Sequence, residues 1–128
     1  MSTTDRRIRI TAGAVTAGAT LNTSPTAMRI WEALPIEAKG ETWGDEIYFG
    51  IPITAEVAKD AKEVVDPGDL SDWPPGSALC IFFGPTPSSR TPNEIRPYSA
   101  VNVVGKVSGN PTMFKQVRSG ARVLLERA

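Results

Sequence analysis

Histidine is absent from this 128-residue chain, and cysteine occurs once, at Cys80. The first absence removes the side chain that most often serves as general acid or base, and as metal ligand, near neutral pH. Ser-His-Asp and Cys-His nucleophilic sites go with it, because their base is missing. The single cysteine excludes an intramolecular disulfide framework and any multi-cysteine zinc site. Net charge is lacking too. Fourteen Lys+Arg balance fourteen Asp+Glu, so no overall field draws the chain to nucleic acid or to an anionic membrane. The longest unbroken apolar run, Ala78-Leu79-Cys80-Ile81-Phe82-Phe83, is far shorter than the ~20 residues a membrane span needs. No glycine-rich phosphate loop of the G-x-G-x-x-G or G-x-x-x-x-G-K-[ST] kind occurs. The basic residues are scattered, and none sits in an aromatic strip suited to single-stranded nucleic acid. Met1-Ser2-Thr3-Thr4-Asp5-Arg6-Arg7 leads into alternating residues without an apolar leader segment. The expectation is a soluble cytoplasmic protein, one domain over residues 1–128, with no metal, cofactor, nucleic-acid or membrane partner.

What the chain does have is punctuation. Eleven glycines and eleven prolines cut it into short segments, which favours strands over long helices. Ile8 and Ile10 alternate with arginines and threonine, and Val15, Ala17, Ala19 and Leu21 alternate with small polar residues beyond Gly13. These two period-2 runs predict an N-terminal hairpin. Ser24 as cap, Pro25 at the first position and Ala27, Ile30, Trp31 and Leu34 at helical spacing predict a helix that Pro35 ends, with Trp31 on its core face. Strands are expected over Ile36–Trp43, Asp45–Gly50, Ser77–Gly84, Tyr98–Val107 and Ala121–Arg127, and a short helix over Asn110–Val117. Val57–Val65 is open between strand and helix. Asp66-Pro67-Gly68-Asp69 and Asp72-Trp73-Pro74-Pro75-Gly76 read as turns. The four-proline stretch Pro85–Pro97 reads as a long mobile loop with no apolar periodicity to pin it. With no βαβ rhythm, the pattern indicates a closed β-barrel or a compact sandwich.

Candidate chemistry is sparse. Asp66, Asp69 and Asp72 form the one acidic cluster, but they lack the ligand order of a calcium loop and read as a solvated turn. Cys80, mid-way along an apolar strand, reads as a small buried hydrophobe. Glu46 shares a strand face with Tyr48. If that face lines a barrel mouth, Glu46 is desolvated and its pKa rises; otherwise it is an ordinary surface carboxylate. Trp43, Tyr48, Trp73 and Phe83 lie in turns and strand ends dense in proline and glycine. They either shape an apolar cleft or plug the ends of a barrel.

Three stretches together resemble a family of small stand-alone prokaryotic cyclophilin-like proteins: Trp43-Gly44-Asp45-Glu46-Ile47-Tyr48-Phe49, Asp72-Trp73-Pro74-Pro75-Gly76 through Gly84, and Ala100-Val101-Asn102-Val103-Val104-Gly105. The resemblance covers nearly the whole chain. It implies a mainly β fold: a closed eight-stranded antiparallel cyclophilin-like β-barrel with two short helices capping it. Thr26–Leu34 also resembles the first helix of true cyclophilins, and Val103–Val117 their late strand, glycine turn and second helix. True cyclophilins carry a Phe-His-Arg-x-x-Pro motif whose arginine is implied to polarise the prolyl amide. The comparable Glu46-Ile47-Tyr48-Phe49-Gly50-Ile51-Pro52 has neither arginine nor histidine, so no catalytic residue carries over. The expected function is therefore a non-isomerase protein that binds a small molecule or a proline-containing peptide. Its candidate ligand-binding residues are Trp43, Glu46, Tyr48, Trp73, Phe83 and Asn102. The alternative is a peptidyl-prolyl cis-trans isomerase with a non-standard site, in which Arg90 or Arg96 replaces the missing cation.

Overall fold

The computed structural model describes residues 6–128. The reading of the chain's start as leaderless rests largely on residues 1–5, which lie outside them. Strands β1 (Arg6–Ala12) and β2 (Val15–Leu21) form the expected hairpin. Their registered pairs run from Ala12 opposite Val15 to Arg6 opposite Leu21. Alternation puts Ile8, Ile10, Ala12, Val15, Ala17, Ala19 and Leu21 on one buried face. Helix α1 (Pro25–Ala33) begins where Ser24 Oγ accepts from the Ala27 amide at 3.2 Å, satisfying one of the orphan donors of the first turn. Ala27 and Ile30 are fully buried, and burying a side chain such as Ile30 contributes roughly 1.5–3 kcal/mol. Trp31 packs against the same core, with the Arg127 guanidinium 4.3 Å from its ring centroid.

Strands β3 (Ile36–Lys39), β4 (Glu41–Thr42), β5 (Glu46–Gly50), β6 (Asp69–Trp73), β7 (Ala78–Phe82), β8 (Asn102–Val107) and β9 (Arg122–Arg127) complete one antiparallel sheet. Its nine strands lie in the order β3-β9-β1-β2-β8-β6-β7-β5-β4. The expected Ile36–Trp43 strand is split at Gly40. Its first half pairs with β9 at one edge of the sheet and its second half with β5 at the other. That one bent run nearly closes the barrel, and it accounts for nine strands where eight were expected. A Cβ at position 40 would lie 2.9 Å from Val123 Cγ2 and 3.3 Å from Ile47 Cγ2, so the bend needs a bare Cα where it crosses the core.

Two further expectations change. Asp69–Trp73 is a strand, not part of a turn. Asp69 and Asp72 are buried in it, while Asp66 stays exposed in the turn before it. Among the described residues no group of three or more side chains is placed to hold a metal ion. Residues 57–65 form neither strand nor helix and meet the segment between β7 and β8 by isolated bridges, Lys62 to Val101 and Val65 to Ile95. The second short helix is a 3₁₀ turn, Pro111–Gln116, capped by Asn110; its Phe114 is buried in the barrel. Among the described residues no helix is long and apolar enough to cross a membrane.

Candidate functional site

β7 is apolar on both faces because both are covered. Leu79 and Ile81 join the main core inside the barrel, while Cys80 and Phe82 join a second cluster outside it with Val65, Ile95 and Val101. Register places Glu46 beside Phe82 and Tyr48 beside Cys80 across the β5–β7 ladder, and Trp73 beside Ala78 across β6–β7. Pro97, Tyr98 and Val101, from the segment between β7 and β8, complete the enclosure. The result is a cavity of about 360 Å³ on the outer face of the barrel. Trp43, Tyr48, Trp73 and Tyr98 wall it, and Glu46, Ala78, Cys80 and Phe82 come from the sheet beneath.

Local chemistry explains why the aromatic rings stand there. Trp43 follows β4, and its amide donates to the Glu46 carbonyl at 2.9 Å. Gly44 turns the chain with φ +60°; a Cβ there would lie 2.8–3.0 Å from Pro87, Thr86 and Pro85. The turn is stitched to the covering segment by Asp45 N–H to the Pro85 carbonyl at 2.9 Å and Phe83 N–H to the Asp45 carbonyl at 3.0 Å. Trp73 leads into the 3₁₀ turn Pro74–Gly76, and its indole N–H donates to Ser99 Oγ at 2.7 Å. Tyr98, 74% exposed, stands edge-on to both tryptophans, with centroids 6.1 Å from Trp43 and 5.9 Å from Trp73. Edge-to-face packing at such distances is favourable for aromatic pairs.

The covering segment is anchored rather than loose. Ile95 is buried in the second cluster, and its carbonyl accepts from the Val65 amide at 3.0 Å. Ser89 Oγ accepts from the Thr86 and Arg96 amides at 2.9 and 3.2 Å, and the Thr86 hydroxyl donates to the Arg96 carbonyl. Arg96 makes a two-pronged ion pair with Glu94 at 2.9 and 3.2 Å. The missing apolar anchor on which the expectation of a mobile loop rested is supplied by one residue, Ile95.

Electrostatically the cavity has one sign. Glu46 is only 5% exposed, and burial pushes its carboxyl up to about 7, against the opposing hydrogen bond from the Cys80 thiol. Its Oε1 has no hydrogen-bond partner. Cys80 is driven well above its ordinary value by burial and then by the Glu46 charge, so it is a thiol, not a nucleophilic thiolate. Asp72, behind it on β6, is also raised by burial, an effect offset in part by the Asn102 hydrogen bond and the Arg29 charge. Among the described residues that line the cavity, none carries positive charge.

Of the six residues picked from sequence, Trp43, Glu46, Tyr48 and Trp73 line this cavity. The concavity is outside the barrel, not in its mouth, and these aromatics do not plug the barrel ends. Phe83 lies elsewhere: it points into the core, its ring 6.1 Å from that of Phe114. Asn102 is a clamp. Its side chain donates to the Glu56 carbonyl and accepts from the Ala58 amide, both at 2.9 Å, holding that segment against β8. Absent from those six were Ala78, Cys80, Phe82, Pro97, Tyr98 and Val101, although a residue of 77–84 was expected to share the concavity with Glu46 and Tyr48, and three do. The adjacency of Phe82 to Phe83 was the one usable signal.

A nearly closed antiparallel barrel with a short capping helix and an aromatic cleft on its outer face defines a cyclophilin-type domain. The chain belongs to the cyclophilin-like family, whose model matches residues 6–126. It is similar to the hypothetical protein AF2241 from Archaeoglobus fulgidus, solved in solution. The two share 39% identity over 98% of this chain and 96% of that one, with a TM-score of 0.81. It also shares its fold with McbB, solved in complex with tryptophan, at 16% identity and a TM-score of 0.69; the match covers 94% of this chain and 44% of McbB. No match is found among curated proteins.

Proposed function

We propose that residues 1–128 act as one domain that binds a small, largely apolar molecule in the outer cleft and does not isomerise prolyl bonds. The observation that carries this reading is the 360 Å³ cavity itself, walled by four aromatic rings around a buried carboxylate. Concave, mostly apolar sites with a few placed polar groups are the usual form of small-molecule pockets. McbB, a protein containing this fold, has been solved with tryptophan, so small-molecule binding is compatible with a barrel of this kind.

The isomerase alternative needs a fixed hydrogen-bond donor beside a proline pocket. Neither Arg90 nor Arg96 lines the cavity, and Arg96 is already engaged by Glu94. A proline-containing peptide remains a possible occupant only as a bound ligand.

The reading is tested by nuclear magnetic resonance with neutral fragments such as indole. Amide shifts are expected to cluster at residues 43–48, 78–82 and 97–101, and to vanish in Ala78→Phe, which fills the cavity from its floor. Shifts confined to another face, or no binding by any fragment, would overturn it.

A further inference from the structure

The cavity asks for more than apolar bulk. Trp43, Tyr48, Trp73 and Tyr98 present four electron-rich rings around one space of about 360 Å³. The sheet beneath them contributes a carboxylate with no cation partner among the described residues. Five other acids have a cation beside them: Glu94 with Arg96, Glu126 with Arg9, Glu37 with Arg122, Asp45 with Lys115 and Asp69 with Lys106. Glu46, the one acid among the described residues lining this cavity, is buried with one carboxylate oxygen unpartnered.

Aromatic faces attract cations through the ring quadrupole, and more strongly where water is excluded. A neutral apolar guest would use the rings but leave the buried carboxylate uncompensated; an anion would be repelled by it. From these observations we infer that the ligand of this cleft is a small organic cation of the quaternary ammonium class, held against the rings of Trp43, Tyr48, Trp73 and Tyr98 with Glu46 as its counter-ion. This inference rests on the ligand-binding reading above and sharpens it.

The kind of ammonium follows from the placement of the carboxylate. Glu46 Oε1 is covered, with essentially no surface of its own, so it is poorly placed to accept a hydrogen bond from a guest. A primary ammonium carries three donors and needs acceptors for them. A quaternary ammonium spreads its charge over methyl groups and needs none. Attraction to a recessed charge behind the aromatic walls is sufficient for it.

Binding should then depend on pH through Glu46. The titratable groups that line the cavity with it are Tyr48 on β5, Cys80 on β7 and Tyr98 above; Asp72 on β6 acts on Cys80, and the neighbouring Asp45 side chain is turned to Lys115, 3.9 Å away. Because the carboxyl is held up to about 7, it is mostly protonated at pH 6 and mostly charged at pH 8, whereas a quaternary ammonium does not titrate.

Calorimetric titration of the full chain with choline, and with its neutral isostere 3,3-dimethylbutan-1-ol, tests the inference. Choline is expected to bind about tenfold or more tighter than the isostere at pH 8, and to lose most of that advantage at pH 6. Glu46→Gln should weaken choline about tenfold while leaving the isostere within about twofold. Trp43→Leu, which keeps apolar bulk but removes a ring face, should likewise weaken choline more than the isostere and guards against a folding defect in the first variant. Equal binding of the two probes, or binding of indole without choline, would overturn the cation assignment and leave the ligand-binding reading standing. Failure of choline, isostere and indole alike would overturn both.

Discussion

Glu46 stores a free-energy cost that can be measured without any ligand. Its carboxyl is raised from 4.5 to about 7 by burial, so the folded protein binds this proton more tightly than the unfolded chain does. The associated stabilisation is fully present below pH 4.5 and is lost as pH rises through about 7. That difference corresponds to ~3 kcal/mol as an upper bound. Asp69 and Asp72, raised in the same direction, add a slope of the same sign beginning nearer their ordinary range. Urea unfolding at pH 5 and pH 8 should show the wild type less stable at pH 8 by roughly 2–3 kcal/mol, and Glu46→Gln should remove most of that difference. An unchanged difference in the variant would mean that the aspartates carry it. At this scale much was legible: the Glu46-x-Tyr48 parity alone put both side chains on one face. The choice between Phe82 and Phe83 was not legible, because an unbroken apolar strand carries no alternation to say which ring faces in.

The elements divide by how much of their cause is local. The β1–β2 hairpin, α1 and β7 were readable because each is specified by its own pattern: alternation, a cap followed by helical spacing, or a bounded apolar run. β6 was not, because Asp69-Leu70-Ser71-Asp72 alternates poorly and its acids are buried only by β7, β8 and the segments outside them. The docking of the segment covering the cleft was not legible for a related reason. One apolar residue in thirteen makes no periodicity, yet Ile95 is enough to dock it. Ile95→Ala should therefore make residues 85–97 the first site of limited proteolysis, with cleavage about tenfold or more faster than in the wild type, since truncating a buried isoleucine costs ~2–5 kcal/mol. Gly44→Ala addresses the other end of the same cover. It combines a positive φ with close backbone neighbours at Thr86 and Pro85, and is expected to destabilise the chain by about 1–3 kcal/mol in denaturant unfolding. It should also shift the Trp43 side-chain resonance, because the turn it strains carries that ring.

At the scale of the whole molecule, the question is what a cyclophilin-type barrel does without the cyclophilin arginine. The barrier to prolyl rotation is about 18–20 kcal/mol, and the uncatalysed exchange takes tens to hundreds of seconds. Lowering it requires stabilising a twisted amide whose nitrogen has become a better hydrogen-bond acceptor. A preorganised donor such as a guanidinium meets that need; loss of one such donor typically costs ~10²–10³ in rate. This barrel keeps the apolar cleft but gives it a buried carboxylate and no positively charged lining residue. Ionised, Glu46 has no proton to donate and repels the electron density that must be stabilised. Protonated, it could donate, but its Oε1 is recessed beneath the cavity. The lining of this cleft is thus opposite in sign to what a developing negative centre requires. No acceleration of cis/trans exchange above a heat-inactivated control is expected in a standard proline tetrapeptide assay, at pH 6 or at pH 8. Turnover within about tenfold of an authentic cyclophilin would overturn this. Its loss in Arg96→Ala would then mean that the arginine leaves Glu94 to enter the cleft during catalysis. Its loss only on charging Glu46 at high pH would instead make the protonated carboxyl the donor.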